Sequence, residues 1–107
     1  MANKKNLSLG TVMVLHALAR GCEYGFDIIE ETGLSSGTIY PALDNLERRG
    51  FAVSEWEDPA VAQKEKRPPR RYYRITPDGA LELREALERH RSLARLDLKP
   101  HLQPRAT

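Results

Sequence analysis

The chain has 107 residues, 17 Lys plus Arg against 15 Asp plus Glu, a formal net charge of +2 and one cysteine. That length allows one domain with a modest core, which makes a second subunit a natural source of further burial. The single Cys22 excludes an intrachain disulfide. No apolar run reaches the roughly 18 residues of a transmembrane helix, and residues 1–5 lack a secretory apolar segment, so a cytosolic chain is expected.

Residues 1–8 read as a flexible basic arm carrying Lys4 and Lys5. Leu9 to Ala19 is apolar on nearly every face, which predicts a helix buried on more than one side. Gly21 ends it. Tyr24 to Thr32 predicts a short helix with Ile28 and Ile29 inward, closed by Gly33, which tolerates the left-handed cap conformation. Leu34 anchors a tight turn, and Ser35, Ser36 or Thr38 caps the next helix. Pro41 is cheap only in a first turn, so regular helix starts near Thr38, or starts at Ser36 and is kinked. Ile39, Ala42, Leu43 and Leu46 form the apolar stripe of this third helix, and Gly50 stops it after Arg48 and Arg49.

Phe51 to Trp56 alternates as a strand. Glu57 to Pro69, with three prolines and several charges, predicts a loop. Arg70 to Thr76 alternates again, with Tyr73 and Ile75 on one face and Tyr72 and Arg74 on the other. Thr76-Pro77 is a helix start, and the final helix runs from Pro77 to about Leu96 with Glu85 and Arg89 as an i, i+4 pair. The fold class is mainly α with a small β-wing. A winged helix-turn-helix over 9–76 is followed by a long C-terminal dimerisation helix over 77–98 and a flexible tail over 99–107.

The third helix is the candidate reader of base edges, because a helix fits the major groove of double-stranded DNA and its first turns reach the bases. Ser36, Thr38, Tyr40, Pro41 and Asn45 are its outward candidates, against the plainer roles of helix capping for the hydroxyls and packing on the wing for Tyr40. Residues 64–71 hold five positive charges and one negative, a net of +4, which leaves −2 for the rest of the chain. Lys64, Lys66, Arg67, Arg70 and Arg71 are therefore candidates for phosphate contact on the wing. Arg48 and Arg49 add backbone contacts or else stabilise the helix C-terminus.

On the last helix Ala80, Leu83, Leu87, His90 and Ala94 recur at heptad-like spacing, with Leu81 and Leu93 alongside. A helix of about 20 residues is roughly 30 Å long and projects beyond so small a unit, which favours a homodimer seam over internal packing. Leu9, Val12 and Met13 lie on the first helix, which is apolar on nearly every face, and are candidates for burial against a partner. Cys22, His16 and His90 are the only soft metal-ligand types before the tail, and none shows close-set ligand spacing, so they are weak metal candidates. Gly33-Leu34-Ser35-Ser36-Gly37 matches a nucleophile elbow in letters, but a helix precedes it and the chain is too short for the required sheet. No other catalytic motif is present, so no enzyme and no required cofactor is expected.

Several blocks resemble the PadR family of transcriptional regulators: Tyr24-Gly25, Gly37-Thr38-Ile39-Tyr40-Pro41-Ala42-Leu43, Leu46-Glu47 with Gly50, and Arg71-Tyr72-Tyr73-Arg74-Ile75-Thr76 with Gly79. The resemblance covers about residues 9–95 and is closest to the subgroup with one C-terminal helix. It implies a winged-helix homodimer, paired through its first and last helices, that usually represses transcription. It also implies response to an effector, a small aromatic molecule in some members. Residues 77–96 contain no Phe, Tyr or Trp, which argues against an aromatic sandwich between the last helices. A metal-responsive regulator, sensing a divalent ion, is a variant of this reading. A winged-helix module that binds protein is the alternative from another class, and five cations in the wing speak against it.

Overall fold

The computed structural model describes residues 6–93. Seven elements follow in chain order: α1 (Leu9–Ala19), α2 (Gly25–Thr32), α3 (Ser36–Arg48), β1 (Ala52–Trp56), α4 (Pro59–Lys64), β2 (Arg71–Ile75) and α5 (Pro77–Leu93). The expected continuation of the last helix and the tail lie outside the described residues, as do residues 1–5 of the arm.

Helix α1 begins where the Ser8 hydroxyl accepts the Thr11 N–H at 3.2 Å. Its side chains are used on most faces: Thr11, Val12, Val14, Leu15, Ala17 and Leu18 are buried. It packs on α2, α3, α5 and β2. Leu7 departs from the arm assigned to residues 1–8, since it is only 4% exposed and belongs to the core. It stands one residue before the cap and Val12 at the fourth helical position, the two places of a hydrophobic staple.

Gly33, at φ 77°, closes α2 by donating its N–H to the Ile29 carbonyl at 2.8 Å. Thr32 tightens the following turn, donating to the Ile28 carbonyl at 2.7 Å and accepting the Leu34 N–H at 3.1 Å. Helix α3 starts at Ser36 with Pro41 inside it. The proline deprives the Gly37 carbonyl of its helical donor. Gly37 is exposed, so water is at hand to replace that donor. Ile39, Ala42, Leu43 and Leu46 are buried against the core, as their spacing requires.

Strands β1 and β2 pair antiparallel, with Ala52 opposite Ile75, Ser54 opposite Tyr73 and Trp56 opposite Arg71. Tyr73 also donates its N–H to the Glu23 carbonyl at 2.7 Å, which fastens the wing to the start of α2. The three prolines predict a loop over residues 57–69, but the structure places α4 there. Asp58 caps it through the Ala60 N–H at 2.9 Å, and Pro59 occupies the first turn. A helix of six residues is too short to show a periodicity.

Glu57 closes the wing. Its carboxylate, 7% exposed, accepts both terminal nitrogens of Arg67 at 2.7 and 2.8 Å, the Arg70 N–H at 3.1 Å and the Tyr72 hydroxyl at 3.3 Å. These bonds, the Arg67 fork above all, hold its pKa down from 4.5 to about 2 against the effect of burial.

Thr76 caps α5, accepting the Gly79 N–H at 2.9 Å while donating to the Gly50 carbonyl at 2.7 Å. Leu83 and Ala86 turn inward. The sequence pairs Arg89 with Glu85; the structure brings it two turns back to Glu82, at 3.1 Å, because that carboxylate is buried and needs a donor. Among the described residues no helix is long and apolar enough to cross a membrane.

Two outcomes are expected. A Cβ on Gly79 would run into the Phe51 carbonyl oxygen, which belongs to the backbone and cannot swing aside. Gly79→Ala gains about 1 kcal/mol of helix propensity but loses about 1–3 kcal/mol to overpacking, so the urea midpoint should fall; a rise would mean that the backbone there gives way freely. Glu57 contributes stability that is complete above its ordinary pKa of 4.5 and lost as pH falls toward about 2. Thermal melts of Glu57→Gln should therefore show a shallower loss across that window than the unsubstituted chain, and equal acid slopes would discount the Glu57 network.

Candidate nucleic-acid interface

Burial of the Ile39, Leu43 and Leu46 face turns the opposite face of α3 outward. Ser36, Thr38, Tyr40, Pro41 and Arg48 are exposed and Asn45 is half-buried. Ser35 is the N-cap residue; its hydroxyl makes no capping bond to the backbone and instead donates to Thr38 Oγ1 at 3.3 Å. Tyr40 lies across the start of α2. A Cβ at Gly25 would occupy the place of its hydroxyl, which explains why glycine follows Tyr24. Arg48 pairs with Asp44 at 3.4 Å on the exposed surface, and Arg49 stands 5.3 Å from the centre of the Phe51 ring.

The wing cations divide into three kinds. Arg67 is held by Glu57 and also reaches Glu65 at 3.2 Å, so its charge is met within the wing. Arg70 and Arg71 are seated on rings. The Arg70 guanidinium lies 4.2 Å from the centre of Tyr24, which itself meets Tyr72 edge-on at 5.6 Å. Arg71 lies 5.5 Å from Trp56 and 5.9 Å from Tyr73, bonds Ser54 Oγ at 3.0 Å and approaches Glu47 at 3.6 Å. A ring restrains a guanidinium without neutralising it. Lys64 and Lys66 are exposed beside the end of α4.

One cleft joins these parts. Tyr24, Gly25 and Phe26 of α2, Tyr40 of α3, Trp56 of β1 and residues 67–71 all line it. The first turns of α3 and the basic wing, 30 residues apart in sequence, thus share one face. Phe26 and Trp56, 61% and 62% exposed, add large apolar surface to it. Sequence reasoning did not place Tyr24, Phe26 or Trp56 here. The available signal was strand alternation: Trp56 is in phase with the inward Ala52 and Ser54, but lies past the end of the core.

Part of the expected pairing surface and two of the metal candidates, His16 and His90, line a separate groove. Leu9, Val12, Met13 and His16 of α1, Glu31 and Thr32 of α2, and Leu87 and His90 of α5 line a second groove. Leu9 and Leu87 are half-exposed, whereas Val12 and Leu83 are already covered by the chain's own core. Ala94 lies outside the described residues. Cys22 does not line this groove; its thiol points to the Asp27 carbonyl at 3.8 Å. Burial first, then the charges of Glu31 and Asp27, push its pKa up against the pull of Arg20. Among the described residues no three His, Cys, Asp or Glu side chains converge as a metal site.

Known regulators share this architecture. BpsR of Bordetella bronchiseptica, whose DNA binding is regulated by 6-hydroxynicotinic acid, superposes with a TM-score of 0.70 at 20% identity over 85% of this chain. This chain spans 61% of the length of BpsR, and at that identity the likeness speaks for the fold alone. A PadR-like transcription factor from Bacteroides fragilis is similar at 25% identity, TM-score 0.65, over 80% of this chain and 84% of its own. A PadR family regulator from Eggerthella lenta is 27% identical, TM-score 0.63, over 88% and 84% of the two chains. No curated protein matches by sequence. The profile of the transcriptional regulator PadR-like family matches residues 14–85, from the middle of α1 through α2, α3 and the wing to the middle of α5. The chain belongs to the PadR-like family of transcriptional regulators, DNA-binding proteins rather than enzymes.

Proposed function

We propose that this regulator acts in the cytosol as a homodimeric repressor on an inverted-repeat operator and releases DNA when an effector binds. The observation that carries the DNA-contact reading is the shared cleft of Tyr40, Arg70 and Arg71, which sets the start of α3 and the basic wing against one surface. In this reading Ser36, Thr38, Tyr40, Pro41 and Asn45 face base edges in the major groove. Lys64, Lys66, Arg70 and Arg71, with Arg48 and Arg49, contact phosphates and supply affinity rather than sequence. Two-fold pairing sets two recognition helices about 34 Å apart, one helical turn of DNA.

The groove of Leu9, Met13, His16, Leu87 and His90 supports pairing through α1 and α5. An effector that enters or repacks this seam changes the spacing of the two α3 helices, provided that it favours one arrangement over the other. Its apolar lining with two imidazoles suits a small aromatic molecule, the class to which the BpsR effector belongs. A divalent ion held by His16 and His90 is the variant; Cys22 stands apart from them.

A gel shift on the DNA upstream of the protein's own gene, at two salt concentrations with competitor, should give a specific complex that weakens steeply with salt. Absence of binding at low salt would favour a protein partner for the wing instead. Arg70→Ala with Arg71→Ala should weaken binding to every sequence and flatten the log–log salt slope by about 0.9 for each phosphate no longer neutralised; an unchanged slope would take both residues off the DNA. Leu87 is 47% exposed, so Leu87→Asp leaves the monomer core intact. It should yield a folded monomer in size-exclusion chromatography, and a surviving dimer would place the seam elsewhere.

A further inference from the structure

An acidic side chain beneath a DNA-contacting wing opposes binding on charge alone, yet the Glu57 carboxylate accepts hydrogen bonds from Arg67, Arg70 and Tyr72. Its N–H donates to the Arg70 carbonyl at 2.8 Å, so it forms the rung beyond Trp56 and Arg71 where the two strands part. Residues 58–69 leave and return at this point. Arg67, near the returning end, is bound to the Glu57 carboxylate by its fork and to the Ala62 carbonyl by its N–H, at 3.1 Å. The wing segment is thereby pinned at its root and at its middle. Lys64 and Lys66 stand on the stretch between those pins, with Lys66 held in the left-handed region at φ 55°. The Arg70 N–H rests on the same carboxylate, which fixes the backbone from which its guanidinium reaches Tyr24.

We propose that Glu57 is a positioning residue for DNA binding: through its fork with Arg67 it holds Lys64, Lys66 and Arg70 in one presented geometry, and Arg67 is the internal latch rather than a phosphate ligand. The inference rests on the DNA-contact reading above. Its physical basis is that a loosened wing must be ordered each time it meets a phosphate backbone, and that ordering entropy is subtracted from affinity. A pre-ordered wing has met the cost during folding. Lysine cannot replace the latch, because an ammonium does not reproduce the planar two-donor fork.

Charge and positioning predict opposite signs, which makes the test sharp. The binding of Glu57→Gln, Arg67→Lys and the unsubstituted protein to a mixed-sequence DNA duplex spanning two successive major grooves would be measured across a salt series. The temperature would be one at which circular dichroism shows each variant fully folded. Positioning predicts that Glu57→Gln binds several-fold more weakly despite losing a negative charge. It predicts the same for Arg67→Lys despite keeping its positive charge, with the salt slope of Arg67→Lys unchanged. Tighter or equal binding by Glu57→Gln, or undiminished binding by Arg67→Lys, would overturn the proposal. Should Glu57→Gln fail to fold, Arg67→Lys, which keeps every charge, decides the matter alone. If the unsubstituted protein shows no salt-sensitive binding, the DNA-contact reading itself fails and this inference falls with it; binding by the unsubstituted protein separates the two failures.

Discussion

The packing of α1 into the centre of the chain is the constraint on which the rest depends. Val14, Leu15 and Ala17 are wholly buried, and α2, α3, α5 and β2 are all laid against this one helix. A chain of 107 residues has little surface to spare for burial, so a single helix has to serve as core for four neighbours. The orientation of α3 follows from that. Ile39, Leu43 and Leu46 are drawn onto the core, and the polar side of the helix is left outside as a consequence rather than by any contact of its own.

The wing is built on a different principle. Beyond Tyr73 and Ala52 the strand pair has run out of core, and charged groups take over the task of holding it. Glu57 neutralises Arg67, whereas Tyr24 seats Arg70 without cancelling it, and Arg71 stands between the two cases, over Trp56 and 3.6 Å from Glu47. The distinction matters for the proposed contact of this surface with phosphate. An arginine opposite a carboxylate contributes little field, and one restrained by a ring contributes nearly all of its charge and gives up less rotamer freedom on binding. Counting cations in the sequence treats Arg67, Arg70 and Arg71 as equals, and the structure separates them.

The two grooves share no lining residue and have different chemistry. The cleft beside α3 is aromatic and cationic, and the groove of α1, α2 and α5 is mainly aliphatic with two imidazoles and the Glu31 carboxylate. Helix α1 packs both on α5, which borders the second groove, and on α3, which borders the first.

Most of the fold was legible in the sequence, because its signals are local. Gly33 as a left-handed cap, Thr76-Pro77 as a helix start, the stripe of Ile39, Leu43 and Leu46, and the alternation of Tyr73 and Ile75 each need only a few neighbouring residues to be read. The polar start of α3 and the basic stretch of the wing were legible for the same reason. Helix α4 was not, since six residues that begin with a proline and are soon followed by two more offer no period, and Leu7 was not, since one apolar residue beside a polar arm has no pattern. Partners across long sequence gaps were beyond reach. Glu57 with Arg67, Arg70 on Tyr24, Gly25 beneath Tyr40 and Gly79 against Phe51 all depend on how separate elements meet. The sequence by itself determined α1 to α3, the two strands and the start of α5, and where the polar and basic side chains stand along the chain. The tertiary structure alone decided which of those charges are already matched, because neutralisation depends on a few ångströms of separation in space and not on distance along the chain.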